Sequence, residues 1–483
     1  MRWSVRSPIP SLLLFAGLWL VTGCGPSVNR YWLIEQSLVS GDPARADALV
    51  EQAEKDYGTK NRVLYGMDRG MTLQLTGRYQ QSSAVLEQAE EEVDRLYTKS
   101  IRTETAAFLT NDNALPYEGD AYEHVMISVA KALNYAALGQ IQEALVEARR
   151  IDHRLNVLAD RVKDAHNYRS DGFARYLTGI LYEAAGDTNN AFIAYRNAYE
   201  AYEAMRGWAH TPVPASLPSD LLRVTDALHL TTELEEYRRT FPDTTWTPVS
   251  EQPQLARVVL ISYNGRAPHK EDQFLDLPIS LDAVQLVLLN RGLSQSNRHQ
   301  NRVSDSVLYG LNGRVVRVAL PRLVLRKTQV GSEQMTLTSE AGPATTVHSV
   351  LVQNVTALAE QSLSERLPGI TVKALARAAT KYALAEGVTR GAQQAAGKDA
   401  APWVGLAVGL VTKGLAVASE EADKRSWQTL PDEIHLAQAW VTPGQYHVAV
   451  RPAGIGGHSG QAGEAPLTLT AGQTTFLIQR MMQ

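Results

Sequence analysis

The sequence predicts an α+β fold: an N-terminal half of α-helical hairpin repeats and a C-terminal mixed domain with antiparallel strands and long helices. Three observations predict it. Residues 31 to about 205 carry alanine, leucine and tyrosine at three- and four-residue steps, the period of a helix with one buried face. Glycines recur there with small residues at fixed offsets. From Ala256 onward, runs rich in branched residues replace the helical pattern.

The repeats come first. Gly41 is followed five residues later by Ala46, Gly77 by Ser82, Gly139 by Ala144 and Gly186 by Ala191. Twelve residues after the glycine stand Ala53, Ala89 and Ala198, with Ile151 departing; seven before it stand Gly70 and Gly179, with Ala132 in the third unit. Antiparallel helices pack closely only where facing side chains are small, and a glycine tolerates the left-handed backbone that ends the first helix. The pattern resembles tetratricopeptide repeats, which implies a concave surface for a peptide or partner helix and a binding role. The glycines are 36, 62 and 47 residues apart, so the units are interrupted, with Lys99 to Tyr122 as the expected insertion. Glu90-Glu91-Glu92 and the tyrosines Tyr195, Tyr199 and Tyr202 read as solvated surface and helix packing.

Pro212, Pro214 and Pro218 break the helical pattern after Met205. A helical stretch, Leu221 to Phe241, follows, and then a loop containing Pro242, Pro248 and Pro253. The expected domains are therefore a repeat domain over 31–241, a linker over 242–255 and an α+β domain over 256–483. Within the last, Arg257 to Ile261, Arg314 to Val318, Leu320 to Leu325 and Met335 to Thr338 read as strands, with Pro321 marking an edge or bulge. Two helices are expected, Val355 to Arg366 and Ile370 to about Val388, separated by Pro368-Gly369. Four strands close the chain, from Ile434, Tyr446, Leu467 and Thr474, as an antiparallel sandwich or sheet. Ala400 to Ala418 is apolar, with Gly405 and Gly409 four apart, but Lys413 interrupts it. It reads as a buried or partner-facing helix, not a membrane span.

The N-terminus reads as a lipoprotein signal peptide over 1–23. Arg2 and Arg6 precede the apolar stretch Ser11 to Val21, and Val21-Thr22-Gly23-Cys24 has the form of a lipobox. Cys24 is the one cysteine of 483 residues, so lipidation would leave an exported chain with no free thiol. Residues 24–30 form a short tether. Gly25 and Pro26 lack the aspartate of an inner-membrane retention signal, so the periplasmic face of the outer membrane is expected. Removal of 1–23 leaves 460 residues and a formal charge of −6, unlike a basic nucleic-acid binder.

Four blocks of the C-terminal half carry a resemblance: Asn264-Gly265-Arg266-Ala267-Pro268-His269-Lys270-Glu271, Leu367-Pro368-Gly369-Ile370 on to Lys381-Tyr382, Ala422-Asp423-Lys424-Arg425-Ser426-Trp427-Gln428-Thr429-Leu430-Pro431, and Pro443-Gly444-Gln445-Tyr446. With the repeats and lipobox, they resemble a poorly characterised family of Gram-negative tetratricopeptide-type envelope lipoproteins, whose genes tend to lie near one for a penicillin-binding-protein activator lipoprotein. The resemblance implies a place in envelope assembly and transfers no catalytic residue.

No metal pair, nucleophile elbow or phosphate loop appears among the motifs, so neither metal nor cofactor is expected. Asp423, Arg425, Trp427, Pro431 and Lys270 stand as a structural or recognition motif. If helical, Asp423 and Arg425 would not face each other; Trp427 and Leu430 are expected to anchor the next strand in the core. Three classes of function follow: a non-catalytic scaffold binding a protein partner, a peptidoglycan-active enzyme or glycan binder, and a subunit of an export or surface-assembly complex using Ala400 to Ala418 as a contact.

Overall fold

The computed structural model describes residues 28–107, 113, 115–161, 171–278, 315–339, 342–395, 421–454 and 463–482. Cys24 and the 400–418 segment lie outside them. The helical half comprises α1 (Val28–Val39), α2 (Pro43–Gln52), α3 (Glu54–Tyr57), α4 (Arg62–Leu75), α5 (Tyr79–Ala107), α6 (Ala121–Ala137), α7 (Ile141–Arg161), α8 (Gly172–Ala184), α9 (Thr188–Met205), α10 (Ser216–Ala227) and α11 (Thr231–Thr240). The expected insertion at Lys99 is in part a continuation of α5, which runs on to Ala107.

The glycine spacing translates directly into geometry. Gly41, Gly77, Gly139 and Gly186 all have positive φ, and each turn is closed in the same way. The amide after the glycine donates to the carbonyl four residues before it: Asp42 to Ser37, Arg78 to Leu73, Gln140 to Tyr135 and Asp187 to Tyr182. Ala46, Ser82, Ala144 and Ala191 are fully buried in the second helices. Where Gly179 faces Tyr195, a β-carbon would come within 2.3 Å of the ring. Tyr195 and Tyr202 are accordingly buried, Tyr202 on Gly172.

A fifth hairpin, α10–α11, has the same bonds without the glycine. His229 takes φ 55°, and Leu230 donates to the Thr225 carbonyl. The stretch expected as one helix from Leu221 to Phe241 is broken here. Histidine tolerates the left-handed region better than most residues, but it leaves no glycine to mark the turn in the sequence.

The second half contains β1 (Ala256–Asn264), β2 (His269–Pro278), β3 (Val315–Val324), β4 (Val330–Ser339), β5 (Thr345–His348), β6 (Val350–Asn354), the long helix α12 (Val355–Ala395), β7 (Glu433–Val441), β8 (Gly444–Gly454), β9 (Gly463–Leu469) and β10 (Thr474–Met481). One sheet has the order β10-β1-β7-β6, a second β5-β4-β8-β9, and β2-β3 form a ribbon. Three details differ from expectation. β10 pairs parallel to β1, so the first sheet is mixed. The two strands expected around residue 319 are one, because a two-stranded ribbon leaves one side of each strand free and Pro321 is tolerated opposite Asp272. The two expected helices are one, α12, running through Pro368. Thr371 donates its hydroxyl to the Leu367 carbonyl at 2.8 Å, beside the break in the ladder.

The layers share β1. Its even-numbered Val258 and Leu260 pack with Met335, Leu337, Ala439 and Val448 between the two sheets. Its odd-numbered Val259, Ile261 and Tyr263 join the core of the helical hairpins. The mixed sheet thus lies between the hairpins and the second sheet. The hairpins meet it through first helices, with α4 and α6 touching β10 and α8 touching β6.

Replacing His229 by glycine should raise stability by about 1 kcal/mol, the relief of a left-handed non-glycine residue, as read by urea unfolding. Gly179→Ala should lower it by about 1–3 kcal/mol through overpacking against Tyr195; an unchanged midpoint would contradict the tight approach.

Candidate functional site

The motif residues singled out by sequence converge. Residues 421–432 run between α12 and β7 without regular structure and thread between the hairpins and the sheets. Asp423 and Arg425 face each other after all, with Nε–Oδ1 2.8 Å and Nη2–Oδ2 2.7 Å. The segment is not helical, so a two-residue spacing can bring side chains to one side. Arg425 also donates to Asn61 Oδ1 at 3.0 Å and to the Leu115 carbonyl at 2.9 Å, and lies over the Tyr117 ring at 5.2 Å. Lys270 reaches in from β2, donating to Asp120 Oδ2 at 3.0 Å and to the Arg425 carbonyl at 3.2 Å. Arg366 of α12 pairs with the same Asp120.

Glu123 of α6 is the receptor for the main chain of this 421–432 strap. It accepts from the Trp427 amide at 2.8 Å, the Tyr117 hydroxyl at 2.6 Å and the Asp120 amide at 2.8 Å. Trp427 is buried. Its indole donates to Thr429 Oγ1 at 2.9 Å, and Thr429 donates to Asp68 Oδ1 at 2.9 Å. Tyr57 and Tyr31 donate to the other Asp68 oxygen at 2.8 and 3.1 Å. Leu430 and Pro431 are buried beside them, and Arg480 donates to the carbonyls of Leu430 and Gly265. Burial raises Asp68 to about 6 and pushes Glu123 up and Lys270 down. Burial also works to raise Asp423, but Arg425 holds it below its usual value.

Two further charged clusters had no sequence signal. Glu183 of α8 accepts from Arg223 of α10 at 2.7 Å and from Arg257 of β1 at 2.6 Å. Asp220 receives Gln438 of β7 at 3.0 Å and Tyr176 at 2.6 Å, and both guanidiniums lie over Trp440. Burial opposes ionisation of Glu183, yet the two arginines hold it at about 2. Between hairpins, Lys131 meets Glu90 at 2.7 Å and Glu147 at 3.2 Å, with Arg150 and Arg154 closing the cluster on Glu90. Glu90 of the acidic run is therefore buried, and Glu91 is exposed. Like Asp220 and Arg257, these residues are far apart in sequence and belong to elements whose pairing no local pattern reveals.

A histidine, a serine and a glutamate also meet inside the sheets. His435 lies 3.5 Å from Glu333 and 3.1 Å from Glu433. Ser349 donates to Glu333, not to the imidazole. Burial works against the His435 proton, but the two carboxylates hold its pKa at about 9. A protonated imidazole cannot act as a general base at neutral pH, and the hydroxyl is turned from it. Among the described residues, no group of histidine, cysteine and carboxylate side chains could hold a metal ion, and no helix is long and apolar enough to cross a membrane.

No protein-family model matches the chain, and no curated protein matches it. Solved structures similar to it include MamA 41-end from Desulfovibrio magneticus RS-1, at 13% identity, covering 44% of this chain and 92% of that one with a TM-score of 0.29. Kinesin light chain TPR-like repeats from Podosopora anserina are 16% identical, over 44% of this chain and 92% of that one, with a TM-score of 0.29. The reading of the helical half rests on its own hairpins, not on these likenesses.

Trp427→Ala should cost about 3–5 kcal/mol by emptying a buried indole site; a loss under about 1 kcal/mol would mean the strap is not anchored. The His435 pKa is raised from 6.5 to about 9 in the folded chain. Its contribution, roughly 3 kcal/mol, is fully present below pH 6.5 and lost as pH rises through 9. Denaturant midpoints should fall across that window, and His435→Gln should flatten the fall.

Proposed function

We propose that this chain is a non-catalytic scaffold or assembly factor, tethered by lipid on Cys24 to the periplasmic face of the outer membrane, that binds a protein partner in envelope biogenesis. The observation that carries the scaffold reading is where the buried charges go. Glu183–Arg257 and Glu90–Lys131 join elements of this chain to one another, and Arg425, paired with Asp423 inside its own segment, reaches across to Asn61. They brace a body. The anchor reading is carried by the lipobox and by the placement of the one cysteine within it. Two or three acyl chains suffice for stable attachment without a protein span. The resemblance to envelope lipoproteins supports the compartment.

The strap changes which surface a partner would use. The first helices α4, α6 and α8, where a tetratricopeptide array would be expected to receive a peptide, are covered here by β6, β10, α12 and residues 421–432. A partner would therefore meet the outer helices or the second sheet. Cys24→Ala should abolish lipid labelling and move the chain from the membrane to the soluble fraction of fractionated cells. Continued membrane attachment of that variant would refute the anchor.

A further inference from the structure

We infer that α1 is a second membrane contact, seating its exposed apolar face in the interfacial layer of the lipid surface that holds the anchor. This rests on the anchor reading above and adds a protein surface to it. Helix α1 turns two faces to different surroundings. Ile34 and Leu38 pack on Ala46 and Val50 of α2. The opposite arc, Val39, Trp32, Gln36 and Leu33, lies within about 120° at 100° per residue. Trp32 is 57% exposed, Val39 45% and Leu33 37%. Three of the nine large exposed hydrophobic residues among those described thus fall on one 12-residue helix.

Charge is absent from that arc. The two charged residues of α1 are engaged elsewhere, Arg30 with Asp56 at 2.8 Å and Glu35 with Arg266 at 3.2 Å and with Arg326. The Tyr31 hydroxyl is turned to Asp68. No ionic group has to be stripped of water for the arc to enter lipid. Tryptophan suits the boundary because its ring is apolar while its N–H can stay hydrated.

Chain length selects the occupant. Cys24 precedes Val28 by four residues, so the intervening chain spans at most about 14 Å. Trp32 stands four residues into the helix, about 6 Å further along its axis. With the Cys24 sulfur at the surface, the arc cannot leave the neighbourhood of the bilayer, whereas a protein partner would have to find it. The interfacial layer on each side of a bilayer is roughly 5–8 Å deep, enough for one face of a helix.

The test uses the full acylated chain in vesicles of phosphatidylethanolamine and phosphatidylglycerol with brominated acyl chains, compared with Trp32→Phe. Flotation reports the anchor and loss of tryptophan emission reports the seat. Flotation of both proteins, with bromine-dependent loss of emission in the parent and little in Trp32→Phe, is the expected result. Flotation with equal emission loss in the two would overturn the seat and leave the anchor standing. Failure of the parent to float would overturn the anchor and the seat together.

Discussion

Strand β1 has water on neither face: all nine of its residues are buried. A strand has only two faces, so each must be covered by a different layer. Val258 and Leu260 need the second sheet, and Val259 and Ile261 need the hairpins. Helices and sheets are thereby fixed to one another through a single strand and its neighbour β7, where Leu436 faces the helical core and Ala437 the sandwich. The charges at this joint follow from the same constraint. Arg257 is an odd-numbered β1 residue and points among the hairpins, where an unpaired guanidinium would be costly. Glu183 and Asp220 supply its partners from α8 and α10.

The strap repeats this at the other end of the joint. Trp427, Thr429 and Leu430 fill the space between α4, α6 and β1, and the polar main chain they bring with them is satisfied by Glu123, Asp68 and Arg480. A self-occupied inner face is what separates this array from an open solenoid. That inner face is taken up by pairing within the chain.

Much of this could be read in the sequence because it is local. The glycine at each turn and the small residue five positions on mark four hairpins, since backbone sterics act on single residues. The fifth escaped because His229 adopts the left-handed turn without the glycine that signals it. Proline misled most at Pro368, where the helix continues through it; Pro321 does mark an edge strand, but β3 runs on past it as one element. The strap motif was found by its residues, but its internal ion pair was not, because two-residue spacing excludes contact only in a helix. Glu90–Lys131 and Glu183–Arg257 were invisible for another reason: their partners meet only when whole hairpins stack.

The central claim is that the helical half and the sheets form one cooperative body through β1. Native-state hydrogen exchange of the whole chain, followed as urea is added, measures this most directly. Amides of α8, β1 and β8 should converge on one opening free energy and one denaturant slope. Exchange of α8 through a separate opening, with the β1 amides still protected, would show that the hairpins unfold independently and would contradict the shared core.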